Sequence, residues 1–137
     1  MFTQIKTSSS NRIIVTELTR KFGLGAENII ARIALAQSLR SGIKFSPLDV
    51  KDSGGKEYSK SVLFGNLYKI YLYMLCTAYN IPESDRNIPR YFKIHLDHGL
   101  EMIAADVKLN PNLIGFDYLF DSIKLGLNEI CLEQSNL

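Results

Sequence analysis

Tryptophan is absent from this 137-residue sequence, and cysteine is nearly so. The two cysteines, Cys76 and Cys131, are too few for a disulfide-rich secreted scaffold, and both lie in apolar stretches where free thiols are expected. The sequence also lacks a basic leader followed by an apolar core and a small-residue cleavage site. Its longest apolar run, residues 70–76, is far shorter than the roughly 20 residues that span a bilayer. We therefore expect a cytosolic protein.

A large excess of charge of one sign is also missing, because the net charge is only +2. Its distribution is more informative. Residues 1–44 hold seven basic and two acidic residues, a net +5, whereas residues 109–137 hold one basic and four acidic residues, a net −3. This asymmetry suits a protein that presents one face to a polyanion and another to a protein partner, although a solvated surface can show it by chance. The basic residues of the first segment are Lys6, Arg12, Arg20, Lys21, Arg32, Arg40 and Lys44.

Motifs of common catalytic sites are absent as well. There is no Walker lysine loop, no CxxC pair and no HExxH. The glycines of Gly23-Leu24-Gly25 lie between two predicted helices and not after a strand, which favours a helix-to-helix turn over a phosphate-binding loop.

The only two histidines are His95 and His98, which lie three residues apart on a predicted helix. With Asp97 or Glu101 they offer donors for a metal ion that would activate water for phosphodiester cleavage. The usual metal-binding spacing on a helix is four, and no third ligand is specified. We therefore favour structural or surface histidines and expect neither a metal nor a cofactor.

The apolar periodicity predicts a mainly α fold, a compact domain of about five helices. A short N-terminal strand at residues 2–7 or a small hairpin within residues 42–58 is expected beside them, in a ribbon-helix-helix-like arrangement. We expect the third helix, the most apolar segment, to be the central element. The predicted helices cover about residues 12–22, 26–39, 59–79, 91–107 and 116–131.

The second predicted helix is apolar around most of its circumference, which is more than a small domain covers comfortably. We therefore expect part of it to be buried between subunits of a homo-oligomer. The residues expected at that contact are Gly23, Gly25, Ile29 and Ile33.

Residues 23–39, GLGAENIIARIALAQSL, are more specific than any single motif. They resemble the hallmark of the DndE family, in which Gly-Leu is followed by Asn-Ile, then Arg-Ile-Ala-Leu and Ser-Leu. Two further pieces are similar to the family in the same order: residues 55–58 with 63–65, and residues 95–100. The resemblance covers about residues 5–103 of a single domain 1–137. The sequence departs from the family at Phe22 and Glu27, where a threonine and a proline are usual, and in a helical extension over residues 106–137.

The resemblance implies a role in DNA phosphorothioation, the replacement of a non-bridging phosphate oxygen by sulfur. In that pathway the sulfur chemistry belongs to a cysteine desulfurase, an iron–sulfur protein and an ATPase. The family is associated with homotetramers and with binding of nicked duplex DNA. We therefore expect a non-catalytic DNA-binding component that uses the seven basic residues above and helix N-termini near Ser10 and Gly25 to contact phosphates. The alternatives are a metal-dependent nicking endonuclease and a protein-interaction scaffold.

Overall fold

Five long helices, one short helix and a two-stranded sheet make up the computed structural model, which describes residues 2–135. The mainly α prediction is confirmed. Single-turn 3-10 helices lie at Pro47–Asp49 and Gly65–Leu67. In chain order the elements are β1 (Gln4–Lys6), α1 (Ser9–Phe22), α2 (Glu27–Arg40), β2 (Glu57–Ser59), α3 (Lys60–Phe64), α4 (Tyr68–Tyr79), α5 (Ile88–Leu109) and α6 (Gly115–Ser135).

The sheet joins two segments that are distant in the sequence. β1 pairs antiparallel with β2, and Ile5 lies opposite Tyr58 with both side chains buried. The N-terminal strand that the sequence left open is therefore present. Its partner strand lies about 50 residues further along the chain, so the two do not form a local hairpin.

Helix α1 begins and ends where its capping residues predict. The Ser8 hydroxyl accepts a hydrogen bond from the backbone N–H of Asn11, which satisfies one of the donors left free at a helix start. At the other end Gly23 is left-handed, with φ 61°, and its N–H donates to the Thr19 carbonyl.

The third predicted helix, residues 59–79, is wrong as a continuous element. Gly65, with φ 57°, separates α3 from α4, and a 3-10 turn follows it. The Arg32 guanidinium donates to the carbonyl oxygens of Leu63 at 2.7 Å and Val62 at 3.1 Å. In a continuous helix these two carbonyl oxygens would accept backbone N–H groups of the next turn. Because the Arg32 side chain of α2 donates to them instead, it accounts for the break.

The central element is α5, and not the third predicted helix. Residues 91–97 of α5 are all buried, and Phe92, Leu96, Leu100 and Ile103 are fully enclosed. Its most extensive contact is with α2. The two helices approach closely because Gly99 has no side chain: a Cβ there would overlap the Ala34 carbonyl oxygen.

Helix α6 lies against the rest of the chain along only one side. Gly115 and Tyr118 are its buried residues, and the Tyr118 ring packs on Phe22 with centroids 5.3 Å apart. The Gln37 amide donates to the Tyr118 hydroxyl and to the Ser122 hydroxyl, at 3.1 and 2.7 Å. None of the helices within residues 2–135 has both the length and the apolarity that crossing a bilayer requires.

Candidate nucleic-acid interface

The outer side of α1 carries two exposed arginines. Arg12 and Arg20 are both exposed and lie two turns apart, with Thr16 between them. Within residues 2–135 neither guanidinium has a hydrogen bond or an ion pair. We call these three residues the α1 strip, and its arginines keep all of their donors for an external acceptor.

Lys56 lies beside the middle of the α1 strip. Glu27 accepts a hydrogen bond from the Thr16 hydroxyl at 3.3 Å, and its other carboxylate oxygen is 3.2 Å from the Lys56 ammonium. Lys56 was not among the residues predicted from the sequence. The signal that could have found it is the Gly-Lys-Glu-Tyr segment of residues 55–58, which carries part of the family resemblance.

A second basic group lines a groove of about 420 Å³ between β1 and the start of α5. Lys6 and Arg90 both face this groove, and Arg90 is exposed without a partner among residues 2–135. Lys6 is 3.4 Å from Glu57 in an exposed ion pair. Lys93 also lines the groove, but its ammonium is engaged by buried acceptors of the fold. Arg90 was also missed, because nothing in its local sequence connects it to β1.

Three of the predicted basic residues hold elements together. The Lys21 ammonium donates to the Pro111 carbonyl at 2.5 Å, which joins α1 to the α5–α6 turn. Arg40 donates to Glu129 at 3.1 Å and joins α2 to α6. Arg32 makes the contacts to α3 described above. Much of the donor capacity of these three side chains is therefore used inside the chain.

The seven predicted basic residues consequently do not form one patch. Arg12 and Arg20 lie on the α1 strip, and Lys6 lies in the groove. Lys44 is exposed on the loop after α2, with no partner in the described part of the chain.

The two predicted phosphate-binding helix N-termini differ. At α1 the backbone N–H of Ser9 donates to Asp52 at 2.9 Å and that of Ser8 donates to Asp97 at 2.9 Å, so carboxylates of this chain already occupy the site. The hydrogen bonds from the Ser9 hydroxyl and backbone lower the pKa of Asp52 to about 2. At α2 the capping residue Ala26 provides no side-chain cap, and this helix start is exposed.

The two histidines belong to a chain of buried hydrogen bonds. The Ser38 hydroxyl is 2.7 Å from Nδ1 of both His95 and His98, and the Tyr79 hydroxyl is 2.7 Å from Nε2 of His95. The backbone N–H of Phe45 donates to the Tyr79 oxygen at 2.9 Å. The three side-chain hydrogen bonds are mutually compatible if Tyr79 donates to His95, His95 to Ser38, and Ser38 to His98.

This network keeps His95 neutral. Burial lowers the pKa of His95 to about 4, and the neighbouring His98 adds to the effect. Burial also lowers the pKa of His98. Both ring nitrogens of His95 are engaged, so its role is to join α5 to α2 and α4.

The hypothetical metal ligands are engaged with other groups. Asp97 accepts from the Ser8 N–H, from the Asn11 amide at 2.8 Å and from the Lys93 ammonium at 3.1 Å. Glu101 is paired with Lys51. Residues 2–135 contain no group of three or more histidine, cysteine, aspartate or glutamate side chains arranged to hold a metal ion.

The residues predicted for oligomer contacts remain accessible. Gly23 and Gly25 are exposed at φ 61° and 124°, and Ile29 and Ile33 are half-buried. Most of the remaining apolar surface of α2 is covered within the chain: Ile30, Ala31, Ala34 and Leu35 are buried. The large excess of apolar surface predicted from the sequence is therefore reduced to four half-buried residues: Ile29, Ile33, Ala36 and Leu39.

Comparison with known proteins identifies DndE proteins as similar to this chain. A family model described as DNA sulphur modification protein DndE matches residues 4–111. The crystal structure of DndE from Escherichia coli B7A, involved in DNA phosphorothioation modification, is 19% identical, with a TM-score of 0.61 over 75% of this chain and 98% of the other. The structure of a glycine-to-lysine double mutant of DndE is 21% identical, with a TM-score of 0.62 and the same coverage. No curated protein sequence matches. α6 lies outside the family match.

Proposed function

The chain belongs to the DndE family of DNA sulphur modification proteins, and on that premise we propose that it is a non-catalytic, DNA-binding component of a DNA phosphorothioation system. It docks on duplex or nicked DNA through phosphate contacts while partner enzymes carry out the sulfur chemistry. The partners expected from the family are a cysteine desulfurase, an iron–sulfur protein and an ATPase.

The observation that carries this proposal is the α1 strip. Its two arginines are exposed, unpaired within the described residues and about 12 Å apart along the helix axis. Duplex DNA carries one phosphate charge per roughly 1.7 Å of its axis, so both guanidinium groups can reach phosphates from one side of a duplex. Lys56 beside Thr16 adds a third basic side chain, whose charge is partly offset by its ion pair with Glu27. Contacts of this kind are made to the backbone and carry little sequence information.

We predict that Arg12→Gln/Arg20→Gln weakens binding to nicked duplex DNA and reduces its salt dependence. Each lost phosphate contact lowers the slope of log K against log salt by about 0.9, so the double variant should lose up to about 2 from the slope. Fluorescence anisotropy titrations between low and moderate salt measure it.

The matched control is Lys69→Gln/Lys108→Gln, which removes the same charge from two exposed lysines on α4 and α5. Equal losses in the two variants would mean that net charge, and not the α1 strip, is responsible. Absence of binding by the parent protein at low salt would overturn the DNA-binding proposal and favour the scaffold.

The nicking endonuclease is tested on the same preparations. A plasmid-nicking assay with magnesium or manganese compares the parent protein with His95→Ala/His98→Ala. If the parent protein nicks the plasmid and this variant does not, the nicking endonuclease would replace the non-catalytic proposal. Both ring nitrogens of His95 and the carboxylate of Asp97 are occupied by buried hydrogen bonds. This occupation supports the non-catalytic function.

We further propose that a homo-oligomer, a tetramer by family resemblance, assembles around the α1–α2 turn and α2. Gly23→Lys is predicted to lower the molecular mass in light scattering and to weaken DNA binding despite the added charge, and Gly25→Lys should strengthen the effect. A Cβ at Gly23 would meet no atom of the described residues within 4 Å, so only the left-handed backbone and a subunit contact would oppose it.

Gly42→Lys is the control for that prediction. Gly42 also has a positive φ, 75°, and open space around it, but it lies beyond the other end of α2. Loss of mass in both variants would point to general strain. An unchanged mass in Gly23→Lys would exclude this turn from the assembly contact.

A further inference from the structure

One side of α6 carries a stripe of apolar side chains that residues 2–135 leave uncovered. The five members are separated by four, three, four and three residues, and each is more than half exposed. They are Phe116 (73%), Phe120 (64%), Ile123 (60%), Leu127 (56%) and Ile130 (52%). We call them the α6 stripe.

The α6 stripe lies away from the side of the helix that packs on this chain. The packed side is marked by Tyr118, by Ser122, which is bonded to Gln37, and by Glu129, which is paired with Arg40. At 100° per residue these positions lie about a third of a turn or more from the middle of the stripe. Charged and polar residues occupy the remaining side: Asp117, Asp121, Lys124 and Asn128.

The spacing of the α6 stripe is that of positions a and d in a coiled-coil heptad. Phe120 and Leu127 occupy a, and Ile123 and Ile130 occupy d, with Phe116 at the preceding d. A helix with this repeat packs by inserting its a and d side chains between those of an equivalent helix. The regularity of the exposed residues thus indicates a helical partner.

We propose that the α6 stripe packs in parallel against the α6 stripe of other copies of this chain. In a parallel seam each position faces itself, and the flanking contacts place Lys124 near Leu119 of the next copy and Cys131 near Gly126 of the next copy. No like charges meet across this seam. In an antiparallel seam with Ile123 opposite Leu127, Lys124 of one copy would lie against Lys124 of the other copy.

The amount of apolar surface favours more than two copies. A fully covered phenylalanine buries roughly 150–250 Å², so Phe116 and Phe120, about two-thirds exposed, offer on the order of 300 Å². A stable interface needs about 800 Å² per partner, which one seam with three further aliphatic side chains does not reach. In a bundle each helix contacts two neighbours. Leucine at a with isoleucine at d, as at Leu127 and Ile130, also shifts the preference to three or four strands.

Site-specific crosslinking tests the parallel seam. In a Cys131→Ser background, Leu127→Cys should form a disulfide-linked dimer on mild oxidation, because Leu127 faces itself. The control Leu132→Cys is more exposed than Leu127, at 66% against 56%, but lies off the stripe and should not crosslink. Equal crosslinking at both positions, or none at Leu127, overturns the proposal. So does crosslinking only between Ile123→Cys and Leu127→Cys proteins in a mixture, which indicates an antiparallel pair.

Sedimentation at several concentrations provides a second test. Ile123→Gln/Leu127→Gln should lower the weight-average mass, whereas Leu125→Gln/Leu132→Gln, two exposed leucines off the stripe, should leave it unchanged. High salt should preserve or strengthen the association, because each helix has four carboxylates and one lysine. A mass of the stripe variant equal to that of the parent and control at every concentration overturns the proposal.

Discussion

At the scale of single residues, buried polar side chains of α5 determine how the N-terminal segment attaches to the body. Lys93 donates to the carbonyl oxygens of Lys6 and Asp52, and through Asp97 it is linked to the start of α1. Both side chains are almost completely buried, so each charge depends on the other and on these hydrogen bonds. The same helix carries His95, whose neutral form is required by its position between Ser38 and Tyr79.

The stability of the protein should therefore decrease on acidification. The pKa of His95 is about 4 in the folded chain against a usual value of 6.5, so the unfolded chain binds more protons between these values. The contribution of neutral His95 to the free energy of unfolding is complete above pH 6.5. It falls as the pH decreases towards 4, by up to about 3 kcal/mol at about 1.4 kcal/mol per pKa unit. Urea unfolding at pH 7, 5.5 and 4 measures it.

His95→Gln is the comparison for this experiment. It should be less stable at pH 7, because the Ser38 and Tyr79 hydroxyls lose their partner, but its stability should change less between pH 7 and 4. A variant whose pH dependence equals that of the parent would show that other groups cause the acid effect.

At the scale of elements, the contact between α2 and α5 organises the fold. The backbones come together at Gly99 and Ala34, and side chains on both sides of this crossing are fully buried. Interactions between elements also decide where helices stop, since Arg32 of α2 takes the carbonyl oxygens at the end of α3.

Gly99→Ala should destabilise the protein although alanine is the better helix former. The added methyl group would overlap the Ala34 carbonyl oxygen, and forcing α2 and α5 apart costs about 1–3 kcal/mol. Gly126→Ala in α6 is the control, because a Cβ there meets no atom within 4 Å in the described part of the chain. It should leave the stability unchanged or raise it by about 0.5–1 kcal/mol. Chemical denaturation followed by circular dichroism compares them. A Gly99→Ala protein as stable as the parent would contradict the close approach.

At the scale of the whole molecule, the basic and acidic parts of the chain are neighbours. α6 begins against the end of α1, where Tyr118 packs on Phe22 and Lys21 donates to Pro111. Asp117 and Asp121 lie on the first turns of α6, next to this contact, and their negative charges would oppose a polyanion bound there. The sequence had suggested one face for each charge.

Asp117→Asn/Asp121→Asn, which raises the net charge from +2 to +4, should increase DNA affinity about threefold to fivefold at low salt. A unit charge about 10 Å away contributes roughly 0.4 kcal/mol in water, and screening removes this at higher salt. Glu83→Gln/Asp85→Asn makes the same charge change on the α4–α5 loop. Anisotropy titrations measure the DNA affinity of both variants. An equal rise in the two affinities would contradict a local effect of Asp117 and Asp121.

The sequence by itself determined the features that depend on neighbouring residues. Ser8 and Gly23 set the ends of α1 through hydrogen bonds within one turn. The apolar periodicity predicted the long helices, and residues 23–39 carried the family assignment that the match over 4–111 supports. These features follow from helix geometry and local capping, which act within a few residues of the chain.

Only the tertiary structure decided the contacts between distant residues. It paired β1 with β2, ended α3 at Gly65, placed Lys56 beside Thr16, and joined Asp97 to Ser8 across 89 positions. It also used three predicted DNA-binding residues, Lys21, Arg32 and Arg40, as internal ties. A side chain's local sequence shows its charge and its helix face, but whether its donors remain free depends on which distant carbonyls and carboxylates the folded chain brings within hydrogen-bonding distance.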